Sequence, residues 1–317
     1  MVPSAGAVTG FAAHAVRNDI PPRLQWEANF GYCGETSFIS AGLYYGQYLS
    51  QYEARAIASR GTPQNLARSQ LLLGVNDVYA ARRMHLNAVP WSTQRQRSVR
   101  DFEDWVVRNV GMGRPVVIGV FTNEYRFYGK TIASAGQATY DHIVPVVAAT
   151  HDRLTFSDNG LLGPPTPYLF NRALATFART RRGANGKSAP WYSLPDEGDY
   201  GIAIAGVTDP GGETLPVRVS TNVNYEKPEM RNGSTVRPKP MPLVLTVAVT
   251  GLRPGVAYRL YRYDDFNAVP DRNFNANAGR ASKHWHIVIA AGSTYTVREQ
   301  ILSDRIAVYR AVPASGP

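Results

Sequence analysis

The chain has 317 residues, 44% of them hydrophobic, 18% charged and 11% aromatic; this excludes a disordered or fibrous polypeptide and gives material for about two domains of roughly 100–200 residues each. The net charge of +10 is spread evenly rather than blocked, with the densest basic run at Arg179, Arg181 and Arg182, so nucleic acid is not a favoured partner, while affinity for an acidic polymer or wall surface stays open. One cysteine excludes an internal disulfide and a Cys-based zinc site, and no stretch reaches the roughly 18 apolar residues of a membrane span.

Residues 1–22 read as an extended arm ending in Pro21-Pro22. Met1 to Asp19 lacks a basic segment followed by a long apolar run, so it makes a poor signal peptide. Secretion stays open, with an acceptor triplet for glycosylation at Asn232-Gly233-Ser234, and the sequence assigns no compartment. A helix is expected from Cys33 to about Tyr48, its tyrosines (Tyr44, Tyr45, Tyr48 and, beyond it, Tyr52) serving packing. A second is expected over Gln51–Ser59 and a third over Pro63–Leu73, with Thr62 as cap and Pro63 at the first position. Phe102, Trp105, Val106 and Val110 recur at helical spacing, predicting a helix over Ser98–Val110 capped by Ser98.

The pattern then changes to strands. Pro115–Thr122, His142–Thr150, Arg153–Ser157 and Tyr200–Val207 read as β. Pro145 inside the second of these predicts an edge strand or a bulge. Helices first and an antiparallel sheet second make an α+β arrangement over residues 1–208. A Pro/Gly turn at Thr208–Gly212 marks a boundary. Residues 209–317 read as all-β, with strands at Val217–Thr221, Leu243–Thr250, Tyr258–Tyr263, Trp285–Ala290, Ser293–Val297 and Arg305–Ala311, and a β-sandwich is the expected form. Gly251-Leu252-Arg253-Pro254-Gly255 before Tyr258 is similar to a turn of fibronectin type III-like domains.

Four pieces carry chemistry. Gly31-Tyr32-Cys33-Gly34-Glu35 opens the first strong helix. A thiol at a helix start meets unpaired N–H groups and a partial positive charge, which favour its thiolate. His142, preceded by Asp141, opens a strand, where a base is held rigidly. Asp158 and Asn159 close the next strand, 16 and 17 positions on, and a tight turn at His151-Asp152 brings the open ends of the hairpin together. An acceptor there fixes the imidazole. Gln25 lies upstream of Cys33 and offers an amide donor for an oxyanion; Asn29 is the alternative donor.

This order of Gln, Cys-Gly at a helix start, His at a strand start and Asp or Asn about 16 residues later resembles the papain-like cysteine peptidases, and most closely their bacterial leader-peptide-processing (bacteriocin-type) branch. The resemblance spans Gln25 to about Gly160 through short motifs. It implies a helical subdomain packed on a sheet, the active site in the cleft between them, and acyl transfer through a thioester. It assigns Cys33 as nucleophile, His142 as base, Asp158 as its orienting partner with Asn159 as alternative, and Gln25 as oxyanion donor. Gly34, Glu35 and Asp141 are the expected substrate contacts. Two departures stand out. Gln25 precedes Cys33 by eight positions, where the family places it about six before; an insertion at Asn29-Phe30 would account for this, and Glu27 holds the six-residue spacing. Glu35 follows Cys33-Gly34, where its charge would oppose a thiolate.

Three functions follow as expectations. The first is a cysteine peptidase or amide hydrolase acting on a peptide or protein. The second is an acyltransferase (transpeptidase, cyclase or transglutaminase-like) with the same nucleophile. The third is a binding protein built on a degenerate peptidase scaffold. No cofactor is implied. His284 and His286 share one strand without a third ligand, so no metal site is expected.

Overall fold

The structure is a computed structural model that describes residues 15–26, 28–92, 99–122, 126–127, 130–131, 140–150, 153–160, 168–173, 192–194, 200–231 and 234–314. The fold is mixed α+β. The chain runs from β1 (Val16–Arg17) into α1 (Cys33–Tyr44). Every residue of α1 from Gly34 to Tyr44 is buried, as befits a helix with apolar or small residues all round. It stops four residues earlier than its apolar pattern suggests, because Gly46 takes a left-handed φ of 75° and ends the run. The residues beyond form β2 (Gln47–Tyr48). In α2 (Gln51–Ala58), Ser50 caps the start, its hydroxyl accepting from Glu53 N at 3.1 Å.

The helix expected over Pro63–Leu73 does not form; the segment is turns with a single 3-10 turn at Ala67–Ser69. Side chains take over its backbone and its polar groups. Leu71 N donates to the buried Glu35 carboxylate at 2.9 Å, and Gln64 Nε2 donates to Tyr52 O at 2.8 Å. The helix lies later, as α3 (Asp77–Arg83), followed by β3 (Leu86–Pro90). α4 (Val99–Gly111) buries Phe102, Trp105, Val106 and Val110 as expected; its expected cap, Ser98, lies outside the described residues.

Then come β4 (Val116–Thr122), the short β5 (Arg126–Phe127) and β6 (Lys130–Thr131), β7 (Tyr140–Ala149), β8 (Arg153–Asp158), β9 (Tyr168–Ala173), β10 (Tyr192–Ser193) and β11 (Gly201–Val207). The sheet order is β3-β11-β4-β7-β8-β9, with β1 on β7 and β10 on β4. All these pairings are antiparallel. β7 is therefore central, not the edge that Pro145 suggested; the irregularity is a register shift against β8 between Val146 and Ala148, a bulge beside the proline. The turn at His151-Asp152 lies outside the described residues. The period of two sorts the sheet's side chains to two faces. Val117, Ile143, Ile202 and Ile204 join the cluster around α1, whereas Val116, Ile118, Val144, Val146 and Phe156 join Phe102, Trp105 and Val106 of α4.

After residue 208 the described chain is strands and short turns: β12 (Val217–Thr221), β13 (Pro228–Arg231), β14 (Ser234–Pro238), β15 (Pro242–Thr250), β16 (Ala257–Tyr263), β17 (Lys283–Val288), β18 (Thr294–Leu302) and β19 (Ala307–Pro313). They make a three-stranded sheet, β12-β15-β18, a four-stranded sheet, β17-β16-β19-β2, and the hairpin β13-β14. The alternating inward residues of both larger sheets, such as Leu245 and Val247 on one and Leu260 and Val308 on the other, belong to the same buried cluster as Phe38 and Leu43 of α1. β2 comes from the N-terminal part yet pairs with β19 at Val308–Gln47 and Ala307–Tyr48. The sequence boundary at Thr208–Gly212 is thus crossed by a sheet and by a core. No helix among the described residues is long and apolar enough to cross a membrane.

Gly34 sits where α1 passes the backbone of the 63–73 segment, and a Cβ there would lie 2.1 Å from Leu71 O. Gly34→Ala is expected to cost about 1–3 kcal/mol, read from the denaturant midpoint; an unchanged midpoint would contradict this packing.

Candidate active site

Three elements meet at one point: the start of α1, the start of β7 and the end of β8. Cys33 is the first residue of α1 and is half-buried. His142 and Asp158 are both buried, and His142 Nε2 donates to Asp158 Oδ1 at 3.0 Å. Asp158 Oδ1 also accepts from Gly160 N at 2.8 Å, which fixes the carboxylate. With Nε2 committed to Asp158, Nδ1 is the nitrogen left to face the thiol, and Cys33 is near enough to act on the charge of the imidazole. Burial alone disfavours the imidazolium, but the Asp158 carboxylate and then Cys33 outweigh it, pushing the His142 pKa up from 6.5 to about 10. Buried cation and anion hold each other charged here.

Gln25 is placed directly behind the nucleophile. Its Oε1 accepts from Tyr32 N, the residue before Cys33, at 3.1 Å, and its own N donates to Asn159 O at 2.8 Å. Its Nε2 is buried and has no hydrogen-bond partner among the described residues. A buried amide donor without an acceptor is costly unless something else supplies one. The eight-residue spacing to Cys33 is taken up by a turn in which Asn29, Phe30 and Gly31 all adopt left-handed φ, at 47°, 69° and 85°, closed by Gly31 N donating to Ala28 O. Glu27, at the six-residue spacing, lies outside the described residues.

Other expected site residues are engaged differently. Asn159 is not turned to the imidazole: its Nδ2 donates to Cys33 O, Ser37 Oγ and Ile143 O at 3.0–3.1 Å. It ties the end of the hairpin to α1 and β7. Asn29 donates its amide to the Tyr32 hydroxyl at 3.2 Å, which turns it from the oxyanion role. Gly34 and Glu35 are buried. Gly34 is needed for the passage of Leu71. Glu35 accepts from Arg55 Nε at 2.7 Å, so its charge is neutralised rather than set against a thiolate. Asp141 lies in β7 in register with Phe121. His284 is exposed on β17, opposite Tyr261 across the ladder.

Arg55 is the site residue with no signal in the sequence; it stands in a short helix among alanines. Fully buried, it donates to Glu35, to Asn29 O at 2.7 Å and to Gly31 O, and its guanidinium lies 3.6 Å from the centroid of the Tyr32 ring. Desolvation works against its charge, yet Glu35, then Tyr32 and Cys33, hold its pKa above the ordinary value. Cys33 therefore lies in the field of two buried cations, Arg55 and His142.

No family model, curated protein or solved structure matches the chain.

The raised pKa of His142 sets a pH window. A group held as a cation in the fold contributes stability fully below its ordinary value, 6.5, and loses it as pH rises through its folded value, about 10. Asp158→Asn removes the main charge that raises it, leaving burial to lower it. The excess melting temperature of wild type over Asp158→Asn should shrink as pH rises through about 10; a difference that grows over that range would contradict the assignment.

Proposed function

We propose that this chain is a thiol hydrolase of the papain-like kind, acting on amide bonds of a peptide or protein. The observation that carries the reading is the line Cys33–His142–Asp158, half-buried at the thiol and buried beyond it, with the unpartnered Nε2 of Gln25, whose Oε1 accepts from Tyr32 N. Three charged or polar roles meet in the order that acyl transfer requires. The packing of α1 against β7, with the site at their contact, supports the same reading.

The Cys33 thiolate attacks the carbonyl carbon and forms a C–S bond. The carbonyl oxygen takes the negative charge and is met by Gln25 Nε2 and Cys33 N, the latter at the first turn of α1, where N–H groups have no helical partner. Collapse breaks the C–N bond, and the His142 imidazolium gives its proton to the departing amine. The thioester then accepts water, which His142 deprotonates, and the acid and the thiolate are released. Asp158 keeps the imidazole in the orientation and tautomer for both transfers. The unpartnered amide of Gln25 gains its acceptor only when the oxyanion forms, which is the differential binding that lowers a barrier.

Turnover of a peptide library should be abolished in Cys33→Ala. In Gln25→Ala, kcat should fall roughly 10²–10³-fold with little change in KM. Undiminished cleavage by Cys33→Ala would remove the nucleophile, and with it the proposal.

A further inference from the structure

The segment that carries Gln25 is held by the C-terminal part of the chain as well as by its own. Leu24 N donates to Asn224 O at 2.9 Å, and Trp26 Nε1 donates to Glu226 O at 2.7 Å. Arg23 donates to Val223 O at 2.9 Å and to the Glu226 carboxylate at 2.8 Å. Both side chains of this pair are buried, at 1% and 0% exposure. Glu226 is satisfied on both oxygens: Oε1 accepts from Gln51 N at 2.6 Å, and Oε2 accepts from the Tyr48 hydroxyl at 3.2 Å as well as from Arg23. Gln51 completes the clamp, with Trp26 N donating to its Oε1 at 2.8 Å and its Nε2 donating to Leu24 O at 3.0 Å. The residues on both sides of Gln25 are therefore fixed. Gln25 itself is tied to the hairpin end through Asn159 O and to the nucleophile's loop through Tyr32 N.

We infer that the 221–226 segment is a positioning part of the active site and that Glu226 sets where the Gln25 amide donor stands. The inference rests on the proposed acyl transfer. An oxyanion donor works only at about 3 Å from the oxygen it will meet, and a displacement of about 1 Å costs roughly 10²-fold in rate. A surface loop could not hold a glutamine to that tolerance. A fully buried ion pair anchored at four points can, since its alternatives all leave a charge without a partner. The C-terminal sheets then serve catalysis through their connection between β12 and β13, without touching substrate. Glu226 is a positioning residue, not a catalytic one.

The test uses the full chain and two reactions of the same sulfur. Alkylation of Cys33 by iodoacetamide needs the thiolate but forms no oxyanion. Amide hydrolysis needs both. In Glu226→Gln, alkylation should stay within about twofold of wild type, while kcat for an amide substrate should fall roughly 10- to 100-fold with KM little changed. In a Gln25→Ala background, Glu226→Gln should cost nothing further, because the group it positions is gone. Trp26→Phe, which removes the indole donor to Glu226 O and keeps an aromatic ring against Tyr32, should show the same split and keeps the test decisive if Glu226→Gln does not fold. A parallel fall of alkylation and turnover would mean general damage to the site and would overturn the inference. So would turnover that is sensitive to Gln25→Ala and indifferent to both positioning variants, which would leave the proposed reaction standing. A wild type that hydrolyses no amide at all would remove the proposed reaction itself.

Discussion

A buried guanidinium is the constraint on which the site depends. Arg55 is fully buried and must find acceptors for its donors inside the protein. It finds them in Glu35, Asn29 O and Gly31 O. Two of these acceptors belong to three consecutive left-handed residues, a conformation that costs roughly 1–3 kcal/mol at each non-glycine position. The turn is tolerated because releasing it would leave two donor nitrogens of a buried cation without the acceptors Asn29 O and Gly31 O, a cost of similar size. The same contact delivers the chain to α1 at the angle that makes Cys33 its first residue. Glu35, one turn into that helix, closes the loop by taking Leu71 N, and Gly34 gives Leu71 O its space.

The electrostatics follow from that placement. The thiol lies at a helix start, beside two buried cations that are each paired with a carboxylate. His142 is kept charged by Asp158 despite complete burial. Gln25 stands on the other side with one amide oxygen spent on Tyr32 N and its donor unspent. The amide donors of Asn159 and Asn29 are thus spent inside the protein, whereas that of Gln25 has no partner among the described residues.

Much of this was legible in the sequence where the signal was local. Apolar periodicity located α4, and β-branched runs located β4, β7, β8 and β11. Spacing across a hairpin brought His142 to Asp158, although the strand carrying His142 is central and its proline sits beside a bulge. What escaped was set by contacts far apart in the chain. The 63–73 segment has helix-forming residues and a good cap, but Glu35 and the side chain of Gln64 claim its groups. Glu35 reads as a first-turn charge set against a thiolate; only Arg55, 20 residues on, pairs it. Asn159 reads as a rival for Asp158 because both are polar and adjacent, whereas in the fold they face different partners. Glu226 gives no signal at all, since nothing in Tyr225-Glu226-Lys227-Pro228 announces that its carboxylate meets Arg23.

The division into a helical first part and an all-β second part is visible in the sequence, yet β2, the shared core and the Arg23–Glu226 pair join them into one body around the site. The central claim is that Cys33 is a nucleophile that His142 and Asp158 keep ready. Intact-mass analysis of native protein treated with a library of peptide nitriles tests it most directly, because a nitrile forms a covalent thioimidate only with a sulfur activated in this way. The account expects one adduct per chain, located at Cys33, lost in His142→Ala and in unfolded protein. A native chain that takes up no adduct, or that takes it up equally well without His142, would contradict it.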